Sequence, residues 1–281
     1  MASSPPTPRF ELMGIINVTP DSFSDGGRYL GAAEAIGHGR QLEREGASIL
    51  DVGGESTRPG AEPVPAATEL NRVMPVIEGL VDAGTRAGIS IDTSKAQVAA
   101  AALEAGATMV NDVTALRAAP EIAGLVAQHG AQLCLMHMLG TPRTMQRDPR
   151  YGDVVSEVKR FLEERLRFAT DHGVAEERIL LDPGIGFGKS TEHNLELLRR
   201  LPELVAIGRP VVIGASRKGF LGRLTGRTDP SDRLAATVAA NVLAYERGAR
   251  VFRVHEVAPA IDALIVAAAT VASPAVPFQI T

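Results

Sequence analysis

Eight short apolar or β-branched runs recur along the chain, at residues 12–18, 48–52, 89–92, 108–113, 132–138, 179–182, 210–214 and 250–255. Their apolar character is nearly continuous, the pattern of parallel strands covered on both faces. Stretches of helical length separate them, at 32–45, 69–87, 95–105, 119–129, 149–172, 191–206, 232–247 and 257–270. Several helical stretches run through Gly-Ala into the next strand, as at Gly46-Ala47, Gly106-Ala107, Gly130-Ala131 and Gly248-Ala249, and glycine there can adopt the left-handed conformation that ends a helix. Eight strand–helix units predict an α/β fold, a single-domain (β/α)8 (TIM) barrel, rather than an open sheet. The 281 residues accommodate the about 250 that such a barrel needs.

The barrel is expected to span 10–273, between a Pro- and Ser-rich tail at 1–9 and a second tail at 274–281. The first tail has no apolar stretch and does not read as a secretion signal. Pro259 and Asp262 interrupt the alanine-rich segment 257–276, which therefore does not read as a membrane span. A cytoplasmic location is expected. A formal net charge of -4 gives no basic surface for a nucleic acid. Aromatic residues at 4% and the absence of tryptophan leave little to stack bases on. Cys134 is the only cysteine, which excludes an intramolecular disulfide and a cysteine-based zinc site. It lies in an apolar run and reads as a buried structural thiol.

In a barrel the loops that follow the strands form the face where active sites are built. The long ones are 19–30, 53–65 and 140–150, after strands one, two and five. The strand ends carry Asn17, Asp51, Asp92, Asn111 with Asp112, His137, Asp182, Ser216 to Lys218, and Arg253 with His255. Each such group is costly to bury alone, so a full ring of them points to a shared polar ligand. Asp92 and Asp182 can accept hydrogen bonds from an amino-pyrimidine edge or act as acid and base, with Asn111 supplying a donor and an acceptor. Asp92 can alternatively cap the following helix, since Thr93-Ser94-Lys95 comes next. Arg253 and His255, two apart on a strand, point to one face and suit an anion; a satisfied ion pair is the plainer reading. Lys218 follows strand seven, near the usual phosphate position of barrels. The run 182–190, DPGIGFGKS, lacks the glycine spacing of a mononucleotide-binding loop.

Taken in order, NVTPDSFSDGG at 17–27, DVGGESTRPG at 51–60, SIDT at 90–93, NDV at 111–113, DPGIGFGK at 182–189, GASRKGFLG at 214–222 and FRVHEV at 252–257 resemble the dihydropteroate synthases. The resemblance covers about residues 11–270. It implies a transferase of folate biosynthesis, the sulfonamide target, that joins 6-hydroxymethyl-7,8-dihydropterin pyrophosphate to 4-aminobenzoate with the help of Mg2+, usually as a homodimer. It implies a pterin site at Asp92, Asn111, Met136, Asp182, Phe187 and Lys218. Asn17, Arg253 and His255 would hold the pyrophosphate, with Asn17 also reaching the metal. Phe23, Thr57, Arg58, Pro59, Phe187, Ser216 and Lys218 would surround 4-aminobenzoate. Asp25, Arg58, Asp182 and Lys218 would serve catalysis. The loops 19–30 and 53–65 have no long apolar stretch to hold them down and are expected to move before substrate arrives.

Two other readings share parts of this pattern. A pterin-binding methyltransferase domain uses the same acids but has no use for the STRPG and SRKGF segments. A non-catalytic barrel has no use for a full ring of polar strand ends.

Overall fold

The computed structural model describes residues 10–19 and 28–272. Among these, strands and helices alternate: β1 Glu11–Asn17, α1 Arg28–Arg44, β2 Ile49–Gly53, α2 Ala66–Asp82, β3 Gly88–Asp92, α3 Ala96–Glu104, β4 Met109–Asp112, α4 Ile122–His129 and β5 Gln132–Met136. The second half continues with α5 Val154–Asp171, β6 Ile179–Asp182, α6 Thr191–Arg199, α7 Leu201–Val205, β7 Val212–Ile213, α8 Gly219–Thr225, α9 Leu234–Glu246, β8 Val251–Val254 and α10 Val257–Ala272. The strands pair in the order β6-β5-β4-β3-β2-β1-β8-β7, all parallel. A bridge between Leu181 and Val211 joins the last pair, and the Leu181 N–H donates to the Pro210 carbonyl at 3.0 Å. The sheet thus meets itself as the expected (β/α)8 barrel.

The helices depart from the sequence reading where local chemistry intervenes. The stretch 191–206 is two helices, because Pro202 has no N–H to continue the first and stands in the opening turn of the second. The stretch 149–172 becomes helical only after Asp153, whose side chain accepts from the Ser156 N–H at 2.6 Å. The seven-residue helix α8 is too short for a periodic signal. The Gly-Ala positions behave as read, with Gly46, Gly106, Gly130 and Gly248 all at positive φ.

The period of two along each strand builds the interior. Met13, Ile49, Met109, Cys134, Leu180, Val212 and Val251, one from each of seven strands, form a buried apolar tier inside the barrel. The outward neighbours, such as Leu12, Leu50, Leu133 and Leu181, join Val76, Ile77, Leu80 and Val98 of the helices in a second, larger core. Moving two residues along a strand keeps the same face. Above the apolar tier that step brings Asp51, Asn111, Met136, Asp182 and Arg253. Cys134 is fully buried in the lower tier, and burial pushes its thiol well above the usual range.

Candidate active site

At the C-terminal end of the barrel, Arg253 links two carboxylates from neighbouring strands. Its Nε donates to Asp51 Oδ2 at 2.6 Å and a terminal nitrogen donates to Asp92 Oδ2 at 2.8 Å. Asn111 Nδ2 donates to the same Asp51 oxygen at 3.1 Å, and the buried Asp51 Oδ1 has no partner. Burial opposes the guanidinium charge, but Asp51 and Asp92 outweigh it and hold Arg253 above its ordinary value. Asp92 moves the other way. Burial raises it, Arg253 pulls it back, and the Asp51 charge adds to the rise, leaving it at about 7. Asp92 does not cap α3, whose first turn follows Lys95 without a side-chain cap.

Asp182 faces this group from β6. Its Oδ1 accepts the Gly184 N–H at 2.6 Å, and burial raises its pKa against that bond. The next loop turns through Gly184, at φ +67°, where a Cβ would lie 1.9 Å from the His137 carbonyl oxygen. No other residue fits there. The turn carries Phe187 back to the mouth, where its half-buried ring packs against Val113, Met136, Met138 and Met145. Lys218, entering from the loop after β7, places Nζ 3.9 Å from the centre of that ring. Burial, with Arg253 close by, lowers Lys218 to about 8 despite Asp182 and Asp92.

His255 is tied to Ser216, with Nδ1 2.9 Å from the hydroxyl oxygen. Burial and the charges of Arg217, Arg253, Lys218 and Arg58 lower His255 to about 3. It is thus a neutral imidazole, not the second cation that an Arg–His pair suggests. Arg58 is exposed, and Thr57 and Pro59 flank it on the loop after β2. That loop is fixed at its base. Glu55 accepts from the Val64 N–H at 3.0 Å and pairs with Lys95, which also bonds the fully buried Glu69 at 2.6 Å. At its tip the Gly60 N–H donates to Pro142 O at 3.1 Å. Asn17 ends β1 beside Gly53 in register. Phe23 and Asp25 lie outside the described residues. Among the described residues no three His, Cys, Asp or Glu side chains are grouped to hold a metal ion.

The family described as pterin binding enzyme matches residues 13–255. The Escherichia coli K12 dihydropteroate synthase is 44% identical over 262 residues, covering 93% of this chain and 92% of that protein. The synthase of Synechocystis is 46% identical over 89% of this chain and 86% of its own. The chain belongs to the dihydropteroate synthase family. It is therefore a transferase. Solved synthases superpose closely. That of Xanthomonas albilineans with 4-aminobenzoic acid has a TM-score of 0.89 at 52% identity, covering 95% of this chain and 94% of that one. The same synthase in complex with 7,8-dihydropteroate gives 0.86 at 49% identity, covering 95% of both.

Two polar strand ends do not join the mouth of this synthase barrel. Asp112 is spent on its own loop, accepting from the Thr114 and Leu116 N–H groups at 2.8 and 2.6 Å. His137 faces α5, edge-on to Phe161 at 4.9 Å. Alternation along β4 and β5 carried this signal, since each follows an inward residue, Asn111 or Met136. Three further contributors were given no role from sequence. Asp51 appeared only in the ring and at the start of the DVGGESTRPG motif, Lys189 only at the end of the DPGIGFGK motif and in a failed phosphate-loop pattern, and the Glu55–Lys95–Glu69 grouping not at all. Its members lie 14 to 40 residues apart in the chain, and no local pattern connects them.

Proposed function

We propose that this chain joins 6-hydroxymethyl-7,8-dihydropterin pyrophosphate to 4-aminobenzoate, releasing 7,8-dihydropteroate and pyrophosphate, through the residues just described. The observation that carries the reading is the inward polar tier: buried carboxylates, an amide and two cations set above an apolar floor and matched in acceptors to the amino and ring N–H groups of a pterin. In this reading Asp92, Asn111 and Asp182 hold the pterin edge, with Met136, Phe187 and Lys218 against its ring. Thr57, Arg58, Pro59, Phe187, Ser216 and Lys218, with Phe23 of the first loop, receive 4-aminobenzoate.

Arg253 already bonds Asp51 and Asp92, so its use on pyrophosphate is an exchange. Pterin donors arriving at Asp92 take over one carboxylate contact and release a guanidinium N–H toward a phosphate oxygen. That bond strengthens as the C–O bond breaks and negative charge gathers on the leaving group. His255 contributes as a neutral imidazole: in the tautomer in which the Ser216 hydroxyl donates to Nδ1, Nε2 carries the ring proton and can donate to a phosphate oxygen. The reduced pterin stabilises the cationic methylene that remains, and the arylamine attacks it. An arylamine is unprotonated near neutral pH, so no base is required before attack; Asp25 carries the proton away afterwards.

A magnesium ion brought by pyrophosphate takes most of its ligands from water and phosphate and only one or two from protein. The hard amide oxygen of Asn17 at the strand end fits that demand better than a carboxylate cage would. When bound, the ion supplies neutralisation of the leaving group. The chain acts as a homodimer through α9 and α10, which expose Leu243, Ile265 and Val266 at 44, 47 and 64%. Among the described residues no helix is long and apolar enough to cross a membrane, and we place the enzyme in the cytoplasm.

The deciding measurement is pyrophosphate release with each substrate omitted in turn. Release that requires both is expected; release indifferent to 4-aminobenzoate would overturn the reaction. Binding is expected to be ordered, the pterin ester first. Arg58 is an exposed side chain on a loop tied at its base and, through the Gly60 N–H, to Pro142, so the 4-aminobenzoate pocket is completed only when the Arg58 side chain is drawn to bound pyrophosphate. Calorimetry is expected to show 4-aminobenzoate binding at least about tenfold more tightly once magnesium, pyrophosphate and a pterin analogue are present. Equal affinity for the empty protein would mean a preformed pocket.

A further inference from the structure

Lys189 is 1% exposed, one of the largest fully buried side chains among the described residues. Its three acceptors include no carboxylate. Nζ lies 3.0 Å from the Phe187 carbonyl oxygen, 2.9 Å from His137 Nδ1 and 3.4 Å from the His137 carbonyl oxygen. An ammonium group has three N–H donors, and here each has one acceptor. In the ring tautomer with its proton on Nδ1, a neutral amine would accept that proton's hydrogen bond and give its two N–H groups to the carbonyls, so the three contacts hold in either protonation state. With all its donors engaged and no exposure, Lys189 has nothing left to offer a substrate.

An aliphatic side chain would fill the same volume without the cost of taking an amine out of water. Burial draws Lys189 down to about 7, against the attraction of Asp182, which shows that the cost is present. The compensating feature is what the amine joins. On one side is His137, at the end of β5, wedged edge-on against Phe161. On the other is Phe187, whose N–H already bonds Gly184 O at 3.0 Å. Lys189 therefore fastens the second backbone polar group of Phe187 to the barrel wall. The ring fixed in this way lies under the Lys218 ammonium. Gly186 lets the Lys218 stem pass, since a Cβ there would stand 3.0 Å from Lys218 Cδ. Exposed or peripheral bonds from Gln146 and Tyr151 hold the neighbouring carbonyls of Gly186 and Gly188 at 2.6 and 2.8 Å. Lys189 holds the one between them.

We infer that Lys189 is a positioning residue for the 4-aminobenzoate subsite, setting the Phe187 ring beneath Lys218 through the Phe187 carbonyl and His137. The inference rests on the subsite reading proposed above. Its role is distinct from catalysis, because it touches no reacting atom.

The test is steady-state kinetics of Lys189→Met and His137→Phe beside the unaltered enzyme. His137→Phe keeps the aromatic contact with Phe161 and removes one acceptor of the amine. For Lys189→Met the KM for 4-aminobenzoate is expected to rise about tenfold, the loss of one charge-assisted hydrogen bond. The KM for the pterin ester is expected to rise less than that for 4-aminobenzoate, by no more than about threefold, because Asp92, Asn111 and Asp182 still hold the pterin edge although Phe187 and Lys218 also face its ring; kcat at saturation is expected to stay within about threefold. His137→Phe is expected to show the same split at smaller amplitude. A merely structural lysine would raise both KM values by the same factor, and that result overturns the inference, as does an unchanged 4-aminobenzoate KM. Should Lys189→Met fail to fold, the split in His137→Phe alone decides. Failure of the unaltered enzyme to couple the two substrates would instead overturn the proposed function.

Discussion

Asp182→Asn is expected to weaken binding of the pterin substrate by about a hundredfold, with little change in the folded barrel. Asparagine can keep its oxygen on the Gly184 N–H, which Asp182 Oδ1 now accepts at 2.6 Å. Its amide nitrogen then takes the place of the oxygen that faces the ligand. A pterin edge offers donors there, so two donors meet and one buried group goes unpaired. Such a mismatch costs about 1–3 kcal/mol, and more where a charge was lost, which is the origin of the hundredfold figure. Calorimetry with a pterin analogue and the KM of the ester both report on it. An affinity within threefold of the unaltered enzyme would remove Asp182 from the pterin site.

Arg253→Ala is expected to act on stability as well as on turnover. Removing one partner from a buried ion pair costs about 3–5 kcal/mol, and Arg253 serves two carboxylates. The effect depends on pH with a definite sign. Asp92 has its pKa raised in the folded chain from 3.8 to about 7, so the folded chain binds more protons than the unfolded chain between those values. Stability from this group is fully present below 3.8 and falls as pH rises toward 7. Without Arg253 the only strong downward pull on Asp92 is gone, and the falling limb extends above neutrality. The thermal midpoints of Arg253→Ala and the unaltered protein are thus expected to fall in parallel below neutrality and to diverge as pH rises through about 7, where only the unaltered protein's Asp92 loses its proton while folded. Two curves that stay parallel through about pH 7 and above would mean that Arg253 does not hold the Asp92 pKa down, and coincident curves that the pairs contribute nothing. In binding, the pterin pyrophosphate is expected to lose more affinity than the bare pterin, since only the ester presents a leaving group to the guanidinium.

The strand count, the barrel and the inward residues were legible because a parallel barrel writes itself as eight apolar runs ending in polar groups. Asp92, Asn111, Asp182 and Arg253 could be picked out by that position. What could not be read was which partner each would have. Arg253 suited an anion equally well as a ligand to bind or as neighbouring carboxylates, and the pairing with Asp51 depends on two strands separated by 202 positions in sequence. His255 illustrates a second limit. Its type suggested a cation, but a residue type carries no information on the burial and the nearby Arg217, Arg253 and Lys218 charges that keep it neutral. The division of 191–206 into two helices was, by contrast, present in the sequence as Pro202. Lys189 sat in plain view within DPGIGFGK, yet only the fold shows that its side chain turns inward to His137.

The two tiers inside the barrel share one inward parity, and this sets where the chain can change length. Deleting one residue within Ile49–Gly53 or Ile179–Asp182 would exchange the faces of everything beyond it, turning a carboxylate toward the helical shell and a leucine or valine toward the mouth. Insertions between the strands carry no such penalty, because the connecting segments do not count toward the alternation. Divergence in length should therefore collect in stretches such as 140–150, while β2 and β6 keep their residue number even where their side chains are exchanged.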